Sequence, residues 1–484
     1  MPFRPEILAT DILIWFLVAV VAFFAWYARR HEHLRAAWAR VGHSKTGMAA
    51  ATVLLFFVVL GLLDSLHFRL ALHDQEEGRR VYAVEVLSIL DKLAGPIRTN
   101  KEKTYSAPLA THLFAKETIE LPDGRQVRDY PRLKFGGAHL EDPAAEWAAD
   151  VSLHVAWGVV AGVAAWLALA LLLCALLARR RAQTTGRMWR AIWGNETGMS
   201  WNAVLIAVAG VLLLAGLVLA LAASYHVFGT DKIGQDVLFL ALKSIRTGLV
   251  IGTLATLIML PFALAFGTMA GYFRGVVDDA IQYFYTTLSS IPGVLLIAAA
   301  VLMMHVYIET HAAQFETTTQ RADFRLLWLC VILGVMGWVG LCRLLRGESL
   351  KLREMEYIQA ARAFGVSDFR IIFRHIVPNV MHIVLIVAVL DFSGLVLAEA
   401  VLAYIGIGVD PSMTSFGGMI NSARLEMARD PMVWWLLAAA FFFMLGIVLS
   451  ANLFADAVRD AFDPRIRSRT GSAERLRQLA SEKA

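Results

Sequence analysis

The sequence predicts an all-α, polytopic membrane protein with about nine transmembrane helices. Two observations support this: 58% of the 484 residues are hydrophobic, and the mean hydropathy is +0.59, both above the usual values for soluble domains. The apolar residues also fall into separate runs of roughly 20 residues, the length that crosses the hydrocarbon of a bilayer. The net charge of +5 does not indicate nucleic acid as a partner, because the arginines cluster beside apolar runs.

The predicted spans follow one another along the chain. Trp and Tyr flank the first span, as suits a membrane interface, and Arg29-Arg30 follow it without a cleavage site, so it is expected to be retained. Pro261 and Pro292 lie in apolar helices, where a kink is tolerated if neighbours satisfy the backbone. The spans are Asp11–Tyr27, Gly47–Leu66, Val155–Ala178, Asn202–Ala223, Ser244–Phe273, Thr287–Val306, Leu326–Leu345, Val380–Leu402 and Val433–Phe454.

Basic residues predict which loops face the cytoplasm. Arginines and lysines concentrate at 28–46, at 179–200 and in the C-terminal tail. Alternating the spans then puts the N-terminus outside and the C-terminus inside. Residues 68–153 fall outside and carry turn signals at Pro122-Asp123-Gly124 and Gly136-Gly137. A connector this long is expected to form a small domain or to cover the mouth of a pathway.

A polar loop at 348–378 separates two apolar spans on the predicted cytoplasmic side and is expected to fold as helix, turn, helix. Gly365 supplies the left-handed residue that ends the first helix, and Ser367 is placed to cap the second. The periodicity gives the first helix an apolar face formed by Tyr357, Ala361 and Phe364.

The second helix of this elbow repeats the apolar stripe. Pro378 is expected to stop it before the next span. The elbow would thus lean its apolar side on the membrane domain and offer a basic side, with Arg370, Arg374 and His375, to a partner. The stripe consists of Phe369, Ile372, Phe373 and Ile376.

A second group of turn residues lies at 226–237, HVFGTDKIGQDV, just before an apolar span. Asp231 can bond to nearby backbone amides, and Gly234 allows a tight bend. The turn either fixes the entry angle of the next span or serves as a docking point on the outer face. The residues concerned are Gly229, Thr230, Asp231, Gly234 and Asp236.

The elbow resembles the EAA loop of ABC-importer permeases. Gln359-Ala360-Ala361, Gly365 and Val377-Pro378 occupy its pattern, with Gln359 for the family's Glu and Val377 for its Leu. The wording from Glu356 to Asn379 is similar to the dipeptide, oligopeptide and nickel branch. The resemblance implies that the elbow fits a cleft on an ATPase subunit through Glu356, Gln359, Ala360, Ala361, Gly365, Asp368, Arg374 and Pro378.

The resemblance covers roughly Asn202 to Arg467 and implies a six-span permease core. In the alternative, Gly47–Leu66 is the family's first span and Val155–Ala223 is an inserted pair, with the same sidedness. The predicted organisation is N-terminal spans at 1–67, an extracytoplasmic segment at 68–153, an additional span and basic loop at 154–201, the core at 202–467 with its coupling loop at 348–378, and a basic cytoplasmic tail at 468–484.

Several kinds of site are not expected in this chain. No Gly-Lys dipeptide occurs in the sequence, so a Walker A loop is excluded; ATP and Mg are expected on a partner ATPase. No catalytic set, metal site or cofactor is predicted. The cysteines lie in apolar runs without metal-ligand spacing and the histidines of the outer segment are scattered; these residues are Cys174, Cys330, Cys342, His67, His73 and His112.

The resemblance implies a permease subunit of an ABC importer in a bacterial inner membrane, translocating peptides or peptide-like small solutes. The implied partners are ATPase subunits, a second permease chain, an extracytoplasmic substrate-binding protein and the lipid bilayer. Two alternatives stay open. One is a permease for nickel chelates or another small solute; the other is a membrane sensor or scaffold that detects a ligand with residues 68–153.

Two carboxylates lie in the span that follows the elbow. Asp391 is 13 residues beyond Pro378, roughly 20 Å along a helix and near mid-bilayer. Because a carboxylate there is costly, it should face the bundle or a wet cavity. Glu399 is expected on nearly the same helical face. The pair would line the translocation path and favour cationic substrates, or Asp391 would hold the bundle together through a hydrogen bond.

Overall fold

The computed structural model describes residues 3–72, 81–120, 126–315 and 317–462, and it confirms the all-α polytopic class. Within these ranges, nine helices are long and apolar enough to cross a membrane, and each overlaps one predicted span. The helices are α1 (Ala9–Arg30), α2 (Glu32–His43), α3 (Lys45–Asp64), α4 (Ile89–Leu93), α5 (Gly95–Thr99), α6 (Pro143–Arg180), α7 (Thr185–Trp193), α8 (Trp201–Ala222), α9 (Val237–Phe273), α10 (Gly275–Ser290), α11 (Gly293–Thr310), α12 (Thr318–Arg353), α13 (Glu356–Ala363), α14 (Asp368–Ile371), α15 (Val377–Tyr404), α16 (Phe416–Glu426) and α17 (Trp435–Phe462).

The two prolines expected to kink apolar helices behave differently. Pro261 lies inside α9 as predicted. Pro292 instead separates α10 from α11, so the predicted span Thr287–Val306 is two helices. The cause is local: a proline disfavours the helical conformation of the residue before it, and Ile291 is extended, with ψ 131°.

The segment between α3 and α6 is folded, but it contains strands that the sequence did not predict. The chain's first described residues pair antiparallel with it, Phe3 opposite Leu70. A separate hairpin flanks the predicted turn Pro122-Asp123-Gly124, which itself lies outside the described residues. The strands are β1 (Phe3–Glu6), β2 (His67–Leu72), β3 (Val81–Tyr82), β4 (Leu87–Ser88), β5 (Glu117–Glu120) and β6 (Gln126–Asp129). We call this segment the insert, and its end of the bundle the insert side.

Helices α9 and α12 form the centre of the bundle. They approach so closely that a Cβ on Gly267 would lie 2.8 Å from the carbonyl oxygen of Cys342. Helices α15 and α17 pack around this pair, and the largest buried side chains of the bundle include Trp338 and Trp435. The bundle's other end carries the elbow, residues 348–378, and we call it the elbow side.

Helices α6 and α8 form a hairpin at the edge of the bundle. A Cβ on Gly216 of α8 would lie 2.6 Å from the carbonyl oxygen of Gly158 on α6, so only small residues permit this approach. Helix α8 packs chiefly against α6 and α3, whereas α3 packs against α9 and α17. This arrangement favours the alternative in which Gly47–Leu66 is the first core span and Val155–Ala223 is an inserted pair.

Candidate coupling surface and polar clusters

The elbow turns where the sequence predicts. Gly365 has φ +74°, in the left-handed region, and backbone bonds close the end of α13: Gly365 N donates to Arg362 O at 3.0 Å and Val366 N to Ala361 O at 3.1 Å. Ser367 occupies the N-cap position of α14, but its side chain makes no capping hydrogen bond.

The apolar stripe predicted for the second elbow helix is half right. Ile372 and Ile376 are buried as predicted, but Phe369 and Phe373 are 66% and 69% exposed, and Ile371, which the stripe omits, is buried. The reason is a π-helical turn over Ile372–Ile376. Its wider turn places residues five apart on one face, so Ile371 joins Ile376 on the buried side, and a stripe drawn at spacings of three and four identifies only part of the buried face.

The elbow's aromatic side therefore faces outward. Of the first predicted face, Ala361 is half-buried, but Tyr357 and Phe364 are 41% and 86% exposed. With Phe369 and Phe373 they form what we call the aromatic face. It stands beside exposed Arg370 and Arg374. Buried Ile358 and the isoleucines of the π turn hold the other side on the bundle. An exposed apolar patch with a polar rim marks an interaction surface.

Specific bonds fix the elbow to α9 and α12. Asp368 Oδ1 accepts a hydrogen bond from Tyr272 Oη at 2.6 Å. Arg353 Nη1 donates to the Tyr272 carbonyl at 2.8 Å. Gln359 Nε2 donates to the Glu354 carbonyl at 3.2 Å. Among the other predicted coupling residues, Glu356, Ala360 and Arg374 are exposed.

Pro378 does not stop a helix, contrary to the sequence-based expectation. It lies in the first turn of α15, directly after the π turn. Proline lacks an N–H and its ring clashes with a carbonyl of the preceding turn, and the wider π turn before it relieves this conflict. Residues Asp368–Tyr404 therefore form one helical run of 37 residues.

The turn before α9 is clamped by the insert. Gly229 and Gly234 both have positive φ, +68° and +74°. A Cβ on Gly234 would lie 1.9 Å from the Glu102 carbonyl oxygen, so only glycine fits there. The buried Thr230 hydroxyl donates to the Thr104 carbonyl at 2.8 Å and accepts from Ser106 N at 2.7 Å.

The two aspartates of this turn serve its geometry. Asp231 Oδ1 accepts from the backbone amides of Ile233 and Gln235 at 3.0 and 2.8 Å. Asp236 Oδ1 caps α9 by accepting from Leu238 N at 2.8 Å. These bonds support the structural interpretation of the turn, and its role as a docking point stays a prediction.

His226 joins the turn to the insert. Its Nδ1 lies 2.7 Å from Asp236 Oδ2 and its Nε2 lies 3.4 Å from Glu102 Oε1. Glu102 also accepts from the backbone amides of Lys134 and Phe135. Burial lowers the pKa of His226, but the two carboxylates outweigh burial and raise it to about 9. The histidine is therefore a charged bridge between two acidic partners.

We expect the stability of the protein to depend on pH through His226. Because its folded pKa of about 9 exceeds the usual value of roughly 6.5, its stabilisation is fully present below pH ~6.5 and is lost as the pH rises through about 9. Thermal unfolding in detergent should show this fall for the wild type. His226→Gln should unfold earlier at pH 6.5 and lack the fall, whereas the exposed-site control His112→Gln should keep it. A full pH-dependent fall in His226→Gln would contradict the bridge.

Asp391 and Glu399 are not brought together. Eight residues rotate a helix by about 80° relative to the starting direction. Glu399 is 3% exposed and its Oε2 accepts from Gly417 N of α16 at 3.2 Å. Asp391 is half-buried, and among the described residues it has no hydrogen bond or ion pair. The predicted structural hydrogen bond of Asp391 is therefore not made within the part of the chain that the structure describes.

A buried charged network on the insert side was not predicted from the sequence. Arg246 of α9 is 4% exposed; its Nη2 donates to Asp11 Oδ1 and Thr10 Oγ1 at 2.8 Å and lies 3.5 Å from Asp323 Oδ1. Lys243 Nζ, one turn earlier, lies 2.6 Å from Asp64 Oδ1. The signal was available: an arginine inside an apolar span requires a buried partner.

A cavity of about 420 Å³ opens on the insert side, between the turn before α9 and the loop that joins α15 to α16. Its volume suits a small solute. Asp410 on this loop is held by Arg325, whose Nη1 lies 2.8 Å from Asp410 Oδ2. The lining combines apolar residues with polar ones, and the polar ones include Asp231, Gln235, Asp410, Ser412, Ser415 and Asn421.

A bundle of membrane-spanning helices with a cavity at one end and an exposed aromatic elbow at the other is an architecture that suits a membrane transport subunit. The sequence profile of the binding-protein-dependent transport system inner membrane component family matches residues 263–468. The chain belongs to this family and is a multi-pass membrane permease.

Three relatives illustrate the similarity. The oligopeptide transport system permease protein of Haemophilus influenzae is 30% identical over 243 residues, 50% of this chain and 71% of that protein. The Mycobacterium bovis protein of the same description is 33% identical over 50% of this chain and 77% of its own length. The dipeptide transport system permease protein of Bacillus subtilis is 29% identical over 50% of this chain and 69% of its own length.

Proposed function

We propose that this chain is a transmembrane subunit of an ATP-driven importer of peptides or peptide-like solutes. The observation that carries the proposal is the outward aromatic face of the elbow in a chain of the permease family. The relatives described above are permeases of oligopeptide and dipeptide transport systems, which favours peptides over nickel chelates and over a sensor role. ATP and Mg would bind a separate ATPase, while a binding protein would deliver substrate and a second permease chain would complete the path.

In this proposal the elbow converts ATPase movement into movement of the spans. The run Asp368–Tyr404 is continuous over 37 residues, roughly 55 Å, so a force on α14 reaches the opposite end of α15. The Tyr272–Asp368 hydrogen bond passes the same force to α9. ATP would shift the equilibrium between inward-open and outward-open states by its different affinity for the two. The direct test is copurification of a Walker-containing ATPase with the full chain, and its absence from a functional transporter would refute the proposal.

We also propose that the insert side is extracytoplasmic and that both termini follow the sequence-based orientation, N-terminus outside and C-terminus inside. The support is the arginine concentration at the elbow-side ends of α6 and α7, since cytoplasmic loops carry an excess of Lys and Arg.

Alkaline phosphatase fusions should report this orientation. Fusion after Gly137 in the insert should be active, because the enzyme matures only outside the cytoplasm. Fusions after Gly186 or Gly365 should be inactive. Activity after Gly186 would overturn both the orientation and the number of spans, and comparable levels of each fusion on an immunoblot are the control.

Asp391 remains the better candidate of the predicted pathway pair, because it has no partner within the described part of this chain and lies half-exposed in α15. Glu399 is bound to α16 and is proposed only to shape the cavity end of the path. Asp391 would face the second permease chain or the path between the two.

Asp391→Asn should lower uptake of cationic peptides about tenfold relative to neutral ones, the effect of losing roughly 1.4 kcal/mol of attraction. The substitution keeps the shape and hydrogen-bonding capacity of the side chain and removes its charge. Uptake into proteoliposomes is the measurement. If the ratio of cationic to neutral peptide uptake is the same in the variant as in the wild type, a pathway role for Asp391 is excluded.

A further inference from the structure

Helix α7 is an amphipathic helix fixed to the elbow-side end of the α6–α8 hairpin. Met188 and Ile192 are fully buried and pack with Ala170, Cys174 and Leu205. The Cys174 thiol also donates to the Thr185 carbonyl, with a separation of 3.3 Å. The apolar stripe of α7 thus packs within the chain, and the opposite side of this helix is left to contact something else.

The exposed surface of α7 combines tryptophan and arginine. Trp193 is 43% exposed and Trp189 half-buried, and their rings meet edge to face with centroids 6.0 Å apart. At about 100° per residue the tryptophans lie on one flank of the helix, between the buried stripe and the arginine face. This order, apolar, then Trp, then Arg, is that of a helix lying in a membrane interface.

Four exposed arginines surround this flank, and we call them the arginine corner: Arg179, Arg180, Arg187 and Arg190. In the described ranges none of their side chains makes a hydrogen bond or ion pair. The neighbouring Arg181, by contrast, donates to the Thr197 carbonyl. Four unpaired cations on two helices that contact each other repel one another, and an anionic partner would remove this repulsion.

Helix α2 adds a second wall to the same corner. Ser200, which precedes α8, donates through N to the Gly42 carbonyl at 2.8 Å and through Oγ to the His43 carbonyl at 2.7 Å. Arg35 of α2 is exposed and Arg40 half-exposed. Two amphipathic basic helices therefore flank the ends of the spans at one level.

We propose that the arginine corner binds the headgroup of an anionic phospholipid. A guanidinium matches a phosphate through paired hydrogen bonds, and each basic residue near an anionic leaflet contributes an appreciable attraction. The ligand is a membrane lipid rather than free phosphate because the exposed Trp193 supplies the apolar contact that an acyl chain requires. This proposal uses the elbow-side orientation given above but does not depend on the substrate.

The test is lipid preference of the full-length protein in nanodiscs. Brominated phosphatidylglycerol should quench tryptophan fluorescence at lower mole fraction than brominated phosphatidylcholine. Arg187→Gln with Arg190→Gln should weaken the phosphatidylglycerol preference about tenfold. Arg187→Lys with Arg190→Lys keeps the charge and the sidedness signal but loses the paired hydrogen bonds, so it should weaken the preference only about threefold, less than the glutamine pair.

Two controls separate this site from general electrostatics. Lys101→Gln with Arg128→Gln removes two exposed cations from the insert and should leave the preference unchanged. Glycerol phosphate in solution should not compete at concentrations equivalent to the lipid. An equal loss in both glutamine pairs, competition by glycerol phosphate, or no preference in the wild type would overturn the proposal. The nanodisc measurement on the wild type decides the matter even if the glutamine variant fails to insert.

Discussion

Arg246→Met should destabilise the protein more than Asp391→Asn or Arg429→Met. The guanidinium is 4% exposed, and it neutralises Asp11 at 2.8 Å and Asp323 at 3.5 Å. Removing one partner of a buried ion pair costs about 3–5 kcal/mol, because the other charge stays buried without compensation. We expect the variant to lose its monodisperse peak in detergent size-exclusion chromatography, or to unfold at a much lower temperature.

Arg429→Met is the matched control. Arg429 is an exposed residue whose ion pair with Glu426 is solvent-accessible, at 2.9 Å, and such pairs contribute roughly 0–1 kcal/mol. In addition, Asp11→Asn in the Arg246→Met background should recover part of the lost stability, because it removes one of the two carboxylates that lose the arginine. If Arg246→Met unfolds at the same temperature as Arg429→Met, the network does not hold the N-terminal spans to α9 and α12.

Gly365→Val should uncouple the permease from its ATPase while leaving membrane insertion intact. Gly365 has φ +74°, and a Cβ there would meet nothing within 4 Å. The cost is therefore entirely in the backbone, about 1–2 kcal/mol for a left-handed residue and more for a β-branched one. That strain is relieved by opening the turn, which displaces α13 from α14 and breaks the aromatic face. We expect ATPase copurification and substrate uptake to fall together.

Two control variants isolate the backbone effect. Gly365→Asn adds a side chain that tolerates the left-handed region, and it should keep coupling. Gly347→Val places the same side chain in open space on α12, without a positive φ, and it should also be coupled. Wild-type ATPase copurification and uptake by Gly365→Val would refute the assignment of the elbow as the coupling surface.

The sequence predicts the spans well because hydropathy is a property of each segment alone, and it predicts the Gly365 turn because glycine adopts the left-handed conformation at the lowest cost. It fails where the answer depends on distant or unusual geometry. The π turn at Ile372–Ile376 changes which side chains of the elbow are buried, and the amino-acid composition does not predict such a turn. The pairing of Phe3–Glu6 with the strand His67–Leu72 requires knowledge of the tertiary structure.

The functional residues divide in the same way. Asp391 was recognised because a carboxylate in an apolar run is costly. Its separation from Glu399 by 80° of helical rotation, about a quarter turn, follows from the eight-residue spacing alone and could have been predicted. Arg246 carries the same signal as Asp391 and lies in the span Ser244–Phe273. Its partners Asp11 and Asp323 are 235 residues earlier in the chain and 77 residues later, so only the fold brings the three together.

The buried network around Arg246 also constrains the order of events during biosynthesis. Asp11 enters the membrane with the first span, but Arg246 is 235 residues further along. At about 5–20 residues per second, the ribosome needs on the order of 10–50 seconds to make that partner. For most of that interval the only partner of this carboxylate that has been made is His67, whose Nδ1 lies 2.7 Å from Asp11 Oδ2 in the folded protein, and the first span lacks its arginine. The last-made half of the network thus completes the first-made helix, and a ribosome that stalls between them leaves an orphan span for membrane proteases to recognise.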